Sequence, residues 1–162
     1  MSALTQIRPC EPGDEPAFIR LNRQFIQEVR SDNPYWDTLA LPPAEELGRV
    51  FREALACPEG IRIFVAEVDG AVVGYANTWT VYSIWAGGRT LILDDLYVDP
   101  PSRSLGIGRR MMAFLADHAR AQGCRRMQLH AETTNARAHK LYRELGFQDE
   151  EVRFFVRPLQ AS

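Results

Sequence analysis

The residues richest in chemical possibility form one run, Asp94-Asp95-Leu96-Tyr97-Val98-Asp99, followed shortly by Arg103-Ser104-Leu105-Gly106-Ile107-Gly108-Arg109. An apolar strand here feeds a glycine-containing loop that opens a helix. Glycine lets backbone N–H groups approach a ligand with no Cβ in the way. A helix start adds orphan donors and a partial positive charge. Together they suit a phosphate or diphosphate, and Arg103 and Arg109 add formal charge. Two rival phosphate loops are excluded. A Walker loop needs Lys and then Ser or Thr after its last glycine, where Arg109 and Arg110 stand. A Rossmann fingerprint needs a third glycine where Met111 stands. A plain strand-to-helix turn with convenient glycines is the competing reading of a lone Gly-x-Gly.

Other nucleophiles and ligands fare worse. Cys124 follows Gly123 at a helix end, the wrong end of the dipole for a thiolate. His118, His130 and His139 lack metal-ligand spacing, so no metal is expected.

The loop resembles that of the GCN5-related N-acetyltransferase (GNAT) superfamily. That family's acetyl-CoA loop has the form Arg/Gln-x-x-Gly-x-Gly/Ala, and Arg103-Ser104-Leu105-Gly106-Ile107-Gly108 matches every fixed position. Asn135 to Phe147 resembles the family's Asn-x-x-Ala…Tyr-x-x-x-Gly-Phe segment. The stretch Tyr82-Ser83-Ile84-Trp85 through Leu93 to Val98 is similar to diamine/spermidine N-acetyltransferases and to small acetyltransferases of histones, polyamines and amino acids. In that subgroup Glu or Asn stands where this chain has Asp94.

The resemblance implies a mixed, mostly antiparallel α/β sheet flanked by about four helices, one domain over residues 1–162, acetyl-CoA as co-substrate, and a homodimer. It implies that Leu96, Tyr97 and Val98 line the pantetheine arm, with Leu96 and Val98 pairing to it like an added strand. Ser104, Leu105, Gly106, Ile107 and Gly108, between Arg103 and Arg109, would hold the diphosphate. Asn135 would hydrogen-bond the pantetheine, Ala138 would join the coenzyme contact, and Tyr142 would sit beside the thioester sulfur. Lys140 or Arg143 would reach the 3′-phosphate.

Acetyl transfer to an amine needs a neutral amine, a stabilised oxyanion and a leaving thiolate. An alkyl amine of pKa about 10.4 is neutral only about once in 10³ molecules at pH 7. A carboxylate that takes the proton is worth roughly 10²–10⁴ in rate. Asp94 is the first choice, by its match to the subgroup's Glu, with Asp95 and Glu132 in reserve. Adjacent strand residues face opposite ways unless a bulge intervenes, so one of the two aspartates is expected at the acceptor. Tyr142 is expected to donate a hydrogen bond to the thiolate, and a backbone N–H such as that of Val98 to hold the oxyanion. Tyr35, Trp36, Trp79, Tyr82 and Trp85 with Asp32, Asp37 and Asp94 suit a cationic amine such as a polyamine, an amino acid or an aminoglycoside. The competing reading is that the strand aromatics fill the core and the sheet, and for Trp79 it is the favoured one. The competing readings are a non-catalytic acyl-CoA sensor and an acetyltransferase of protein or peptide amines.

These residues need a frame, and the chain is long enough for one. It has 162 residues, 46% hydrophobic and 25% charged, with 19 Lys plus Arg against 21 Asp plus Glu. That balance disfavours nucleic acid as a partner. Neither an apolar run of membrane length nor a signal-peptide core is present, and three scattered cysteines fit a reducing cytoplasm. Periodicity predicts an edge strand over residues 4–8 and a helix from Asp14 that stops before Ser31. An irregular loop is expected over 31–43, then a helix from Ala44 with a Leu47, Val50, Phe51, Ala54, Leu55 stripe. Strands are expected over 61–68, 71–82 and 90–98, the first pair joined by Asp69-Gly70. A helix over 108–122, a strand over 126–131, a helix over 135–145 and a last strand over 152–156 complete the order.

Overall fold

A computed structural model describes residues 5–38, 40–157 and 159; Leu4, the expected start of the first strand, lies outside them. The chain divides into two compact units, Met1–His130 and Ala131–Ser162. The first runs β1 (Thr5–Pro9), α1 (Glu15–Asp32), α2 (Pro34–Asp37), α3 (Ala44–Ala56), β2 (Arg62–Val68), β3 (Ala71–Ser83), β4 (Gly88–Val98), α4 (Ile107–Ala121) and β5 (Arg126–Leu129). The second contains α5 (Ala136–Glu144). The sheet order is β1-β2-β3-β4-β5. Its first three pairings are antiparallel and β4–β5 is parallel. This is the expected mixed α/β sheet with β1 at an edge, and α2 is one short helix more than anticipated. Asp69 and Gly70, with φ of 47° and 82°, form the turn whose twist suits a hairpin.

The sheet buries both faces. On one, Phe18 and Leu21 of α1 and Phe51 and Ala54 of α3 meet Ile63, Val65, Tyr75 and Tyr97. Phe18 lies 5.0 Å from Phe51 and 5.3 Å from Tyr75, ring centre to ring centre. On the other, Phe64 meets Phe114 and His118 of α4 at 5.4 and 5.0 Å, and Met111, Met112 and Leu115 are buried. Such aromatic pairs add about 0.5–1.5 kcal/mol each beyond area burial.

Four expectations need correction. α1 runs through Ser31 to Asp32, and Asn33 then caps α2 by accepting the Tyr35 N–H at 3.0 Å. Pro34 disfavours the helical region for the residue before it, so the break falls at the extended Asn33 (φ −136°, ψ 114°) and not earlier. On α3, Val50 is exposed while Gly48 is buried, because Glu15 Oε1 lies 2.6 Å from where a Cβ would stand on Gly48. β5 ends at Leu129, short of Ala131. The last strand is absent: residues 152–156 are irregular, with Val152 69% and Phe155 86% exposed. Their alternating apolar pattern suits a strand, but a strand persists only where a neighbour completes its ladder.

Asp14 stands at the N-cap position of α1 but makes no side-chain cap there. Its side chain accepts the Glu11 N–H at 2.7 Å and two Arg8 N–H groups at 2.8 and 3.0 Å, while Arg8 also reaches Glu67 on β2. Burial works against the Asp14 charge, but these hydrogen bonds outweigh it and hold its pKa below the usual value of 3.8. Asp14→Ala should therefore cost about 2–4 kcal/mol, since it leaves Arg8 short of a buried partner. A folded-state pKa below the unfolded one gives stability that is present above the unfolded value and lost as pH falls through the folded one. Chemical denaturation at pH 7 and again below pH 3 checks this: the wild-type advantage should be full at pH 7 and shrink in acid.

One irregularity bears directly on function. Along β3–β4 the register runs Asn77↔Asp95 and then Thr78↔Leu93, so Asp94 is a surplus residue on β4, a β-bulge. The bulge shifts side-chain parity. Leu93 lies opposite Thr78, whereas Asp95 and Tyr97 lie opposite Asn77 and Tyr75 on the face that packs α1 and α3.

Candidate active site

β4 leads straight into the glycine loop. Asp99 accepts the Ser102 N–H at 3.2 Å and closes a tight turn over Pro100–Ser102. Ser104 (φ 80°) and Gly106 (φ 74°) then take left-handed backbone. Gly106 is the N-cap of α4 and supplies no side-chain cap. The Arg110 N–H bonds the Gly106 carbonyl at 3.0 Å, so the amides of Ile107, Gly108 and Arg109 precede the helical ladder. A Cβ on Gly106 would meet nothing within 4 Å, so the space beside Gly106 is open. Ile107, 2% exposed, pins the helix start into the core.

Arg103, expected to lend charge to an anion, is already engaged. Its terminal nitrogen donates to both Glu28 oxygens at 2.9 and 2.7 Å, and its Nε donates to the Val98 carbonyl at 2.8 Å. Its guanidinium carbon stands 5.1 Å from the centre of the Tyr97 ring, and the Tyr97 hydroxyl donates to Glu28 at 2.7 Å. Burial and the bond to Glu28 push Tyr97 up to about 12. Arg103 thus braces the loop against α1, its guanidinium held by Glu28.

The outer edge of β4 changes along its length. β5 pairs with it only from Thr90 to Leu93, and no other strand among the described residues joins that edge. In an antiparallel ladder the N–H and C=O of one residue share a strand edge, and the next residue uses the other. Val98 gives its carbonyl to Arg103 and not to β3, so Val98 and Leu96 turn their polar backbone groups to the open edge. An extended chain with amide groups can add there as a strand would.

The bulge sits where that edge opens. Asp94 is exposed and Asp95 half-buried. Asn77 Nδ2 donates to Asp95 Oδ2 at 3.4 Å. Burial, and then the nearby Asp94 charge, raise Asp95 from 3.8 to about 6 against the lowering effect of Asn77. The two aspartates therefore interact, and the simple expectation of opposite faces fails because the bulge intervenes. Trp79, expected in the core, is 46% exposed. It lies two residues from Asn77 on the same strand face. Tyr82, Ile84 and Trp85 are exposed at the β3–β4 tip.

The second unit is described by itself. Asn135 caps α5 by accepting the Ala138 N–H at 3.1 Å, so its Oδ1 and the Ala138 amide serve each other and its Nδ2 is the group left for a ligand. Glu132 precedes the helix, its carbonyl accepting the Asn135 N–H at 2.9 Å. Tyr142 is half-buried and 5.8 Å from Phe147, centre to centre. Burial raises its pKa above 10.0, so its hydroxyl keeps its proton at neutral pH. Arg143 is paired with Asp149 at 2.6 Å. Sequence reasoning missed Glu28 and Asn77. No local pattern marks either, since each matters through a partner far along the chain.

Comparison with known proteins fits this geometry. Residues 22–147 match the sequence profile of the acetyltransferase (GNAT) family. The chain belongs to that family. Its relatives include a thialysine N-epsilon-acetyltransferase of Bos taurus, 34% identical over 155 residues, which span 91% of this chain and 86% of that one. An aminoglycoside N(6')-acetyltransferase type 1 of Stenotrophomonas maltophilia is 28% identical over 84% of this chain and 94% of its own. The aminoglycoside N-acetyltransferase AAC(6')-Iy, solved in complex with CoA, superposes with a TM-score of 0.78 at 20% identity, covering 99% of this chain and 98% of that one. The fold is thus the GNAT fold, and the chain is a GNAT acetyltransferase. Among the described residues no helix is long and apolar enough to cross a membrane.

Proposed function

We propose that the chain transfers an acetyl group from acetyl-CoA to the nitrogen of a small primary amine by direct attack, the whole of 1–162 serving as one catalytic domain. The observation that carries this is the edge of β4, unpaired by any described strand beyond Leu93 and leading to the amides of Ile107 and Gly108, which precede the helical ladder of α4. Residues 104–109 would hold the diphosphate through backbone N–H groups. Leu96 and Val98 would pair with the pantetheine amides, and Asn135 would add a hydrogen bond. The coenzyme supplies a thioester, an activated acyl group. The chain's residues do the rest. A carboxylate at the bulge takes the proton that the nitrogen loses as the N–C bond forms. A main-chain N–H, that of Val98 being the first candidate, holds the oxyanion, and Tyr142 donates to the sulfur as the C–S bond breaks. Between Asp94 and Asp95 the balance favours Asp95, because a general base works best with a pKa near the operating pH and burial sets Asp95 at about 6. Asp94, exposed beside it, adds negative charge that draws a cationic substrate.

Small amines fit the acceptor side. Trp79 and Tyr82 expose aromatic faces, which attract cations, and the relatives named above act on thialysine and aminoglycosides. A cytoplasmic homodimer belongs to the same reading, supported by free Cys10, Cys57 and Cys124 and by Trp85, 95% exposed at the β3–β4 tip; sedimentation tests the dimer. The experiment for the function is thiol release from acetyl-CoA against polyamines, thialysine, amino acids, aminoglycosides and peptides. Thiol release with an amine and not with the matching alcohol supports it, whereas coenzyme binding without release by any amine makes the chain a sensor.

A second prediction concerns the loop. Gly106→Val forces a branched residue into left-handed backbone, a strain of about 1–3 kcal/mol, and fills the open space beside Gly106. Coenzyme A should bind at least about ten-fold more weakly by calorimetry, since a displaced or blocked donor to a charged group costs about 1.5–3 kcal/mol. Undiminished binding would remove the loop from the site.

A further inference from the structure

We propose that Asn77 receives the acceptor nitrogen, its Oδ1 taking one N–H while Asp95 takes the other, so that the site selects nitrogens that carry two hydrogens. This rests on the reading of Asp95 as base.

The side chain of Asn77 is split between two tasks. Its Nδ2 faces Asp95 Oδ2 at 3.4 Å, and only the amide's N–H side can donate to a carboxylate. That orientation fixes Oδ1 as the other face, and Oδ1 is buried with no hydrogen-bond partner. A buried acceptor without a donor is costly. Here it lies beside a carboxylate, across the strand pair from the bulge. Two acceptors, one charged and one neutral, therefore stand side by side where β4 opens, with half-exposed Trp79 two residues away.

A neutral primary amine satisfies both. One N–H points to Asp95 and the other to Asn77, and the lone pair is left for the thioester carbonyl. As the N–C bond forms, the nitrogen becomes positively charged. Asp95 removes the proton it faces. The hydrogen on Asn77 stays with nitrogen and becomes the N–H of the product amide, while the electrons of the C–S bond leave with sulfur. A hydroxyl acceptor has one hydrogen and leaves Oδ1 unpaired, and so does a neutral secondary amine. A site built to bond a group discriminates strongly against a substrate that lacks it.

Asn77 also tunes its neighbour, since its N–H favours the ionised form of Asp95. The charged and titratable groups around Asp95 are Asp94 on its own strand, Tyr75 on β3, and Glu28 with Tyr97 and Arg103 beyond. Asn77, which does not titrate, is the residue that donates a hydrogen bond to the Asp95 carboxylate.

The test compares wild type with Asn77→Leu, which keeps the branching and heavy-atom count of the side chain and removes its polar atoms. Thiol release is measured with spermidine, thialysine and kanamycin, each against its N-methylated counterpart. Asn77→Leu should lower kcat/KM for the primary amine at least ten-fold, narrow the preference for primary over N-methyl amine, and leave the KM for acetyl-CoA unchanged. Independently of turnover, NMR titration of the Asp95 carboxyl should show its pKa higher in Asn77→Leu than in wild type. Unchanged amine preference, or an Asp95 titration that does not move, overturns the role of Asn77. The base reading fails separately, if Asp95→Asn keeps full activity while Asn77→Leu shows the losses above.

Discussion

Asp95→Asn should nearly abolish turnover and at the same time make the protein harder to unfold. A positioned base is worth roughly 10²–10⁴ in rate, so kcat should fall by about that factor while coenzyme affinity holds. The gain in stability follows from the sign of the shift. Burial raises the folded-state pKa of Asp95 from 3.8 to about 6. Below the lower value the carboxyl is protonated in both states and costs nothing. Above the higher one it is charged in both, and the fold bears the full penalty of burying that charge. At about 1.4 kcal/mol per pKa unit the penalty has a ceiling near 3 kcal/mol. Partial exposure of the group reduces it to about 1–2 kcal/mol. Denaturation at pH 8 should therefore show Asp95→Asn more stable than wild type, the gap closing below pH 4. In the wild type, kcat/KM should decline as pH drops through about 6. A variant that loses stability at pH 8 would contradict the account of burial, and one that keeps its turnover would contradict the account of catalysis.

Tyr142→Phe carries the second large effect. The tyrosine keeps its proton because burial raises its pKa above 10.0, so it serves as a hydrogen-bond donor across the neutral range. A hydrogen bond to a developing charge is worth about 1.5–3 kcal/mol, or about ten- to a hundred-fold in rate. Turnover should fall by that factor with the KM for acetyl-CoA little changed, because the thiolate exists only as the C–S bond breaks. The packing of the ring on Phe147 survives the change, so stability should shift by less than about 1 kcal/mol. An unaltered kcat would leave Tyr142 a packing residue.

Much of this was legible in local pattern. The apolar run of β4, the Gly106 turn and the start of α4 announce themselves because left-handed backbone calls for glycine and a buried strand for β-branched and aliphatic residues. The hairpin at Asp69-Gly70 is legible for the same reason. What could not be read depends on partners far along the chain. The clamp of Glu28 on Arg103 joins residues seventy-five apart in number, and Glu28 on its own is one more polar residue of an amphipathic helix. The bulge at Asp94 is invisible because register is a property of two strands together. The pattern at residues 152–156 misleads in the opposite direction, since alternation records fitness for a ladder and not the presence of one. Trp79 was misplaced by its propensity, which suits a sheet but does not say which sheet position is covered.

The extra residue at position 94 also sets the terms on which this protein can vary. Deleting that one codon would leave a regular ladder in which Leu93 still faces Thr78, Asp95 still faces Asn77 and Tyr97 still faces Tyr75, so the packing would survive and only the surplus carboxylate would go. The length of β4 can therefore shrink by one residue at that point without turning Tyr97 out of the core, and what such a change removes is the second charge beside Asp95.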